Sequence, residues 1–167
     1  PLSRAYPAGA LPWLVSGLSV AGILFGVTAG MLVARFGARR VLLTAILAAA
    51  GVSAYQATLP ALPLLVGARL LEGFTHLAMV VAAPTLMAAS AAPKDQPVAM
   101  GLWGTFFGVG FAASAIVIPV LPGPSAVLVA HAVGLVVLAA ALWPLLPRGI
   151  ARSPGQGGFL ARHAASC

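Results

Sequence analysis

The chain has 167 residues, of which 61% are hydrophobic and 7% charged, and its mean hydropathy is +1.06. A water-soluble domain carries roughly 25% charged residues, so the composition excludes a soluble enzyme, a coiled coil and a disordered tail and marks an integral membrane protein. The net charge of +7 does not make it a nucleic-acid binder, because the basic residues lie in short gaps between apolar runs instead of clustering on a polar face.

Charged positions divide the chain into spans. Thirty uncharged residues separate Arg4 from Arg35, and the first helix is expected there at Leu11–Val33. It is not a signal peptide, because a signal peptide places its positive charge before a short apolar core, whereas Arg35, Arg39 and Arg40 follow a long one. The 28 residues between Arg40 and Arg69 hold the second helix, Val41–Ala57, and the start of the third, Leu62–Ala91. Between Asp95 and Arg148 lie 52 uncharged residues. A helix crosses the hydrocarbon core in roughly 20 residues, so this stretch fits two crossings. Pro119, Pro122 and Pro124 break it in the middle, giving helices at Val98–Ile118 and Ser125–Leu146. The expected organisation is a short external segment (1–10), an all-α membrane bundle of about five helices (11–147) and a polar, Gly-rich cytoplasmic tail or start of a central loop (148–167). Cys167 is the single cysteine and cannot form an internal disulfide.

Lys and Arg mark the cytoplasmic side. Arg35, Arg39 and Arg40 follow the first span, Lys94 the third, and Arg148, Arg152 and Arg162 the fifth. The gaps after the second and fourth spans contain no basic residue. The N-terminus is therefore expected outside, and without an initiating Met it implies at least one further helix before Pro1. Arg outnumbers Lys eight to one and Asn is absent, a bias that fits a GC-rich bacterial genome and hence the inner membrane.

Ionisable residues inside a membrane are expensive and point to function. The third span carries Arg69, Glu72 and His76. At 100° per residue they share one stripe, position 72 lying about 60° and position 76 about 20° from position 69. Arg69 and Glu72 can pair at i, i+3, and Glu72 and His76 at i, i+4 can exchange a proton. One reading is a substrate- or proton-binding stripe facing a water-filled cavity. The other is a structural ion pair, with His76 bonding a neighbouring helix. His131 stands alone in the fifth span, where a polar residue usually joins helices. A catalytic zinc site needs three protein ligands, and the spans offer just two His and one Glu with no HExxH, GxSxG or Asp pair, so no metal, cofactor or enzymatic activity is expected. Gly22, Gly26 and Gly30 in the first span, and Gly104 and Gly108 in the fourth, form small-residue faces suited to close helix packing. Pro84 interrupts the backbone bonding of the third span.

The segment Gly30-Met-Leu32-Val-Ala34-Arg35-Phe-Gly37-Ala-Arg39-Arg40 resembles the signature loop of the major facilitator superfamily, G-x-L-x-D-R-x-G-x-R-R. Gly30, Leu32, Arg35, Gly37, Arg39 and Arg40 match it; Ala34 stands where the family has Asp, so the family's gate chemistry does not carry over intact. Arg69-Leu-Leu-Glu72-Gly73 is similar to the family's R-x-x-x-G motif. The fifth-helix antiporter motif is only weakly resembled around Gly101–Gly110, where its Gly-Pro pair is missing. The stretch Arg69–Met87 looks most like the cyanate- and nitroimidazole-transporter branch. The resemblance implies helices two to six of a twelve-helix secondary transporter that moves a small solute by alternating access. The solute would be anionic if Arg69 anchors it, and the partners would be the lipid bilayer, a first helix and a C-terminal half. A truncated, non-transporting remnant or interaction module is the competing expectation.

Overall fold

The computed structural model describes residues 25–146. Gly22, most of the expected first span, Arg4, the external segment and the tail with Arg148, Arg152 and Arg162 lie outside the described residues. Five α-helices follow one another: α1 (Phe25–Phe36), α2 (Ala38–Gln56), α3 (Leu62–Ser90), α4 (Gln96–Val117) and α5 (Pro124–Leu145). Short 3-10 turns at Pro93–Asp95 and Ile118–Val120 extend α4 at both ends. Four of these segments, α2, α3, α5 and the run Pro93–Val120, are long and apolar enough to cross a membrane. The protein is an all-α, multi-pass membrane protein.

Prolines open three of the helices. Pro63 stands in the first turn of α3 and Pro97 in that of α4, while Pro124 begins α5. At such positions proline loses no hydrogen bond, and its fixed φ already suits the helix. Pro84 is accommodated inside a continuous α3.

The basic gap after the first span is tighter than the expected loop. α1 continues to Phe36 and α2 starts at Ala38, so only Gly37 separates them, with φ 87° and ψ 142°. A side chain at that φ would collide with its own backbone, and glycine alone enters the region without strain. The Gly37 amide still donates to the Val33 carbonyl at 2.9 Å, and its carbonyl accepts from the Val41 amide at 3.1 Å. Both helices are thus closed through the corner, and Arg35, Arg39 and Arg40 stand on helix ends.

α2 is the centre of the bundle, packed between α3 and α5. Its buried positions Val41, Leu42, Ala45, Ile46, Ala49, Ala50, Ser53 and Gln56 recur at helical spacing. Val41, Leu42, Ala45 and Ile46 form one core cluster with Ala78, Ala82 and Leu86 of α3 and Ala139 of α5. The close approach is made by small residues: Ala45, Ala49 and Ser53 on α2, Ala78 and Ala82 on α3, Ala132 and Ala139 on α5 are all buried. Small residues four apart let helix backbones come together in lipid, where van der Waals packing supplies most of the association energy.

The glycine faces do not do this within the described chain. A Cβ built at Gly26, Gly30, Gly104 or Gly108 would meet nothing within 4 Å. Among the described residues nothing packs on Gly26 of α1, nor on Gly104 and Gly108 of α4, a helix with no buried residue. Its aromatic residues pack mostly on each other: Trp103 stacks on Phe106 at 4.3 Å and Phe106 meets Phe107 at 4.1 Å. α1 touches α3 through an edge-on contact of Phe25 with Phe74, 5.5 Å between centroids.

Candidate functional site

Glu72 lies ten residues into α3, about 15 Å along the helix axis and level with Gln56, the last residue of α2. A carboxylate inside a membrane span requires partners, and it has two on the same oxygen. Arg69 Nη1 donates to Glu72 Oε2 at 2.6 Å, and Gln56 Nε2 donates to it at 3.0 Å. The first bond is the expected i, i+3 pair, with side chains 15% and 13% exposed. The second crosses from α2 to α3 and comes from a fully buried amide.

Sequence reading missed Gln56. It is the one glutamine within the expected spans, and an amide at such a position is a signal in its own right, because it must find a partner in the bundle. Two buried atoms beside Glu72, Gln56 Oε1 and Arg69 Nε, have no partner within the described residues. One is an acceptor and the other a cationic donor, so the cluster presents both polarities beyond the bonds it already makes.

A second polar bridge lies close by. Ser53, fully buried one turn before Gln56 on α2, has its Oγ 2.7 Å from His131 Nδ1 on α5. The distance is a hydrogen bond whose donor depends on the imidazole tautomer. His131 thus joins helices, as a lone intramembrane polar residue tends to. Half-buried His76 stands one turn beyond Glu72 on α3, within electrostatic range of both Glu72 and His131. Arg69, Glu72, His76, Gln56, Ser53 and His131 are therefore gathered from three helices at one level of the bundle. Thr75 is buried on the same helix, but its hydroxyl donates to the Glu72 carbonyl at 2.8 Å and is already used.

The stripe of Arg69, Glu72 and His76 runs on through buried Gly73 and half-buried Val80, Ala83 and Met87. The tightly packed face of α3 is its neighbour, through Leu65, Ala68, Thr75, Ala78, Ala82 and Leu86. The polar stripe therefore borders the core without being sealed in it.

The motif residues Arg35, Arg39 and Arg40 stand at the opposite end of α2. Arg39 reaches α5 there: its Nε donates to the Leu146 carbonyl at 3.1 Å and its Nη2 to the Trp143 carbonyl at 2.8 Å. The guanidinium also lies 5.4 Å from the centre of the Trp143 ring. The last carbonyls of a helix lack partners and carry the negative end of its dipole, so Arg39 satisfies two of them and ties the end of α5 to the start of α2. Sequence separation hid this contact, which joins positions 107 residues apart.

The family model for the Major Facilitator Superfamily matches residues 3–164. The chain belongs to this superfamily. Its members are membrane transporters, which accords with the signature motif on the corner Gly30–Arg40, the arginine motif at Arg69–Gly73 and the succession of membrane-spanning helices. No curated protein and no solved structure matches this major facilitator chain.

Proposed function

We propose that this chain is part of the N-terminal half of a secondary active transporter, in which Glu72 carries the coupling proton. Arg69 is its charge partner and the anchor for a small anionic solute, and His76 is a donor lining the cavity. The observation that carries this reading is the Arg69–Glu72–Gln56 cluster, an ion pair and an interhelical amide buried between otherwise apolar helices. A purely structural pair would have its donors used up. Arg69 Nε instead remains a buried donor without a protein partner among the described residues, suited to an anion.

The five helices correspond to helices two to six of the family's twelve. In such folds the solute site lies near the bilayer midplane between two halves. The uncovered α4 supports further helices as partners, with the lipid bilayer covering the rest. The concentration of Arg35, Arg39 and Arg40 at one end supports a cytoplasmic position for the corner, and the compositional bias supports the bacterial inner membrane. The resemblance of Arg69–Met87 to the cyanate- and nitroimidazole-transporter branch makes cyanate a first probe.

The test is radiolabelled cyanate uptake by the complete protein in cells, with and without dissipation of the proton gradient. Wild type is expected to accumulate the anion only while the gradient stands. Glu72→Gln is expected to exchange cyanate without accumulating it. Accumulation by Glu72→Gln that still collapses with the gradient would overturn the assignment of the coupling proton to Glu72.

The competing reading, a module that transports nothing by itself, is favoured by the absence of any buried residue on α4. It predicts that the 167-residue chain expressed alone is degraded or held by a partner, and that it conducts no solute.

A further inference from the structure

A cleft of about 440 Å³ opens between α1, α2 and α3, and none of Arg69, Glu72, His76, Gln56, Ser53 and His131 lines it. Its walls include Leu32 and Phe36 of α1, Ala45 and Ala48 of α2, and Phe74 and Ala78 of α3. Two threonines also line it, and both have spent their hydroxyls on their own helices. Thr44 donates to the Arg40 carbonyl at 2.8 Å, and Thr75 to the Glu72 carbonyl at 2.8 Å. The interior is therefore hydrocarbon-like and offers a polar solute nothing to bind. This volume is typical of a ligand pocket.

The cleft has a charged mouth. Arg40 lines it at the corner end, and its guanidinium makes no hydrogen bond or ion pair among the described residues. Arg35 stands over the neighbouring Phe36 ring, 5.4 Å from its centre. Arg40, Thr44 and Ala48 fall at i, i+4, i+8 along an exposed strip of α2, so the cleft descends about 12 Å from the cation towards the middle of the membrane. Cation at the interface and apolar walls inward is the polarity of a membrane phospholipid with an anionic headgroup.

We propose that the cleft is a binding site for one anionic phospholipid of the leaflet at the basic end of the bundle. An acyl chain lies along Thr44 and Ala48, and the headgroup phosphate lies on the Arg40 guanidinium. Basic pockets between helices on the cytoplasmic side bind such headgroups, and guanidinium matches phosphate geometry well. The site is separate from the Glu72 cluster and does not depend on which solute is moved.

The experiment uses the complete protein purified in mild detergent and exposed to mixed micelles of phosphatidylglycerol and phosphatidylcholine. Retained lipid is counted by native mass spectrometry. Wild type is expected to retain one phosphatidylglycerol in preference to phosphatidylcholine. Arg40→Gln should lower phosphatidylglycerol retention about fivefold, the weight of one basic residue at a membrane surface, and erase the preference. Ala48→Phe fills the exposed strip without touching the core and should abolish retention of both lipids. A photo-reactive residue at Thr44 is expected to label lipid. Equal retention of the two lipids by wild type, or unchanged phosphatidylglycerol retention in both variants, would overturn the proposal. So would capture of a protein segment at Thr44, which would make the cleft a seat for another helix.

Discussion

The two bonds to Glu72 Oε2 should contribute very differently to holding the bundle together, and the shorter should contribute less. Membrane helices remain helical when they separate, so a bond within one helix survives separation, whereas a bond between helices is lost. Arg69–Glu72, at 2.6 Å, is internal to α3, while Gln56–Glu72, at 3.0 Å, joins α2 to α3. Interhelical polar contacts in membranes are worth about 0.6 kcal/mol on average and at most about 1.7. A charged acceptor and a fully buried donor place Gln56–Glu72 at the upper end, about 1.5 kcal/mol. A pair within one helix adds only about 0.3–0.5 kcal/mol. Two double-mutant cycles separate these values, one combining Gln56→Leu with Glu72→Met and the other Arg69→Met with Glu72→Met. Single variants would mislead, because Gln56→Leu also removes the unpartnered Oε1 acceptor and so gains back part of what it loses. Reversible unfolding of the complete protein in bicelles, driven by added sodium dodecyl sulfate, gives the free energies. An Arg69–Glu72 coupling equal to or above that of Gln56–Glu72 would mean that the bond between helices does not hold α2 to α3.

Three further outcomes follow from the packing. Gly37→Ala forces a Cβ into φ 87° and should destabilise the bundle by about 1–3 kcal/mol in the same unfolding assay, with no loss of contacts elsewhere. Arg39→Met should uncap α5 at a cost of about 1 kcal/mol and speed hydrogen exchange in its last turn, and Arg39→Lys should restore part of the protection. Ser53→Ala removes the partner of His131 Nδ1 and should cost about 0.6–1.7 kcal/mol. If His131→Leu added a further loss of the same size on the Ser53→Ala background, the bridge would not be the cause.

The boundaries of α2 to α5 were legible in the sequence because membrane helices end where charge and proline cluster. The expected Val41–Ala57 and Ser125–Leu146 lie within three residues of the observed Ala38–Gln56 and Pro124–Leu145. The stripe of Arg69, Glu72 and His76 was legible for the same reason, since charge in an apolar run stands out. Gln56 and Ser53 were not, because an uncharged polar residue near a span end is unremarkable until a partner from another helix meets it. Glycine spacing drew attention to Gly26, Gly104 and Gly108, but the described helices approach mostly through alanines, which are too common in this chain to stand out. Gly37 matched a motif by letter, and its reason, a one-residue corner at positive φ, needed the backbone.

Coupling of solute flow to proton flow is the central claim, and reconstituted complete protein tests it directly. A pH-sensitive dye inside liposomes should report proton movement when cyanate runs down its own gradient, with no membrane potential imposed. A pH change that requires cyanate and is lost in Glu72→Gln is expected. Cyanate flux of normal rate with no accompanying pH change would contradict the coupling.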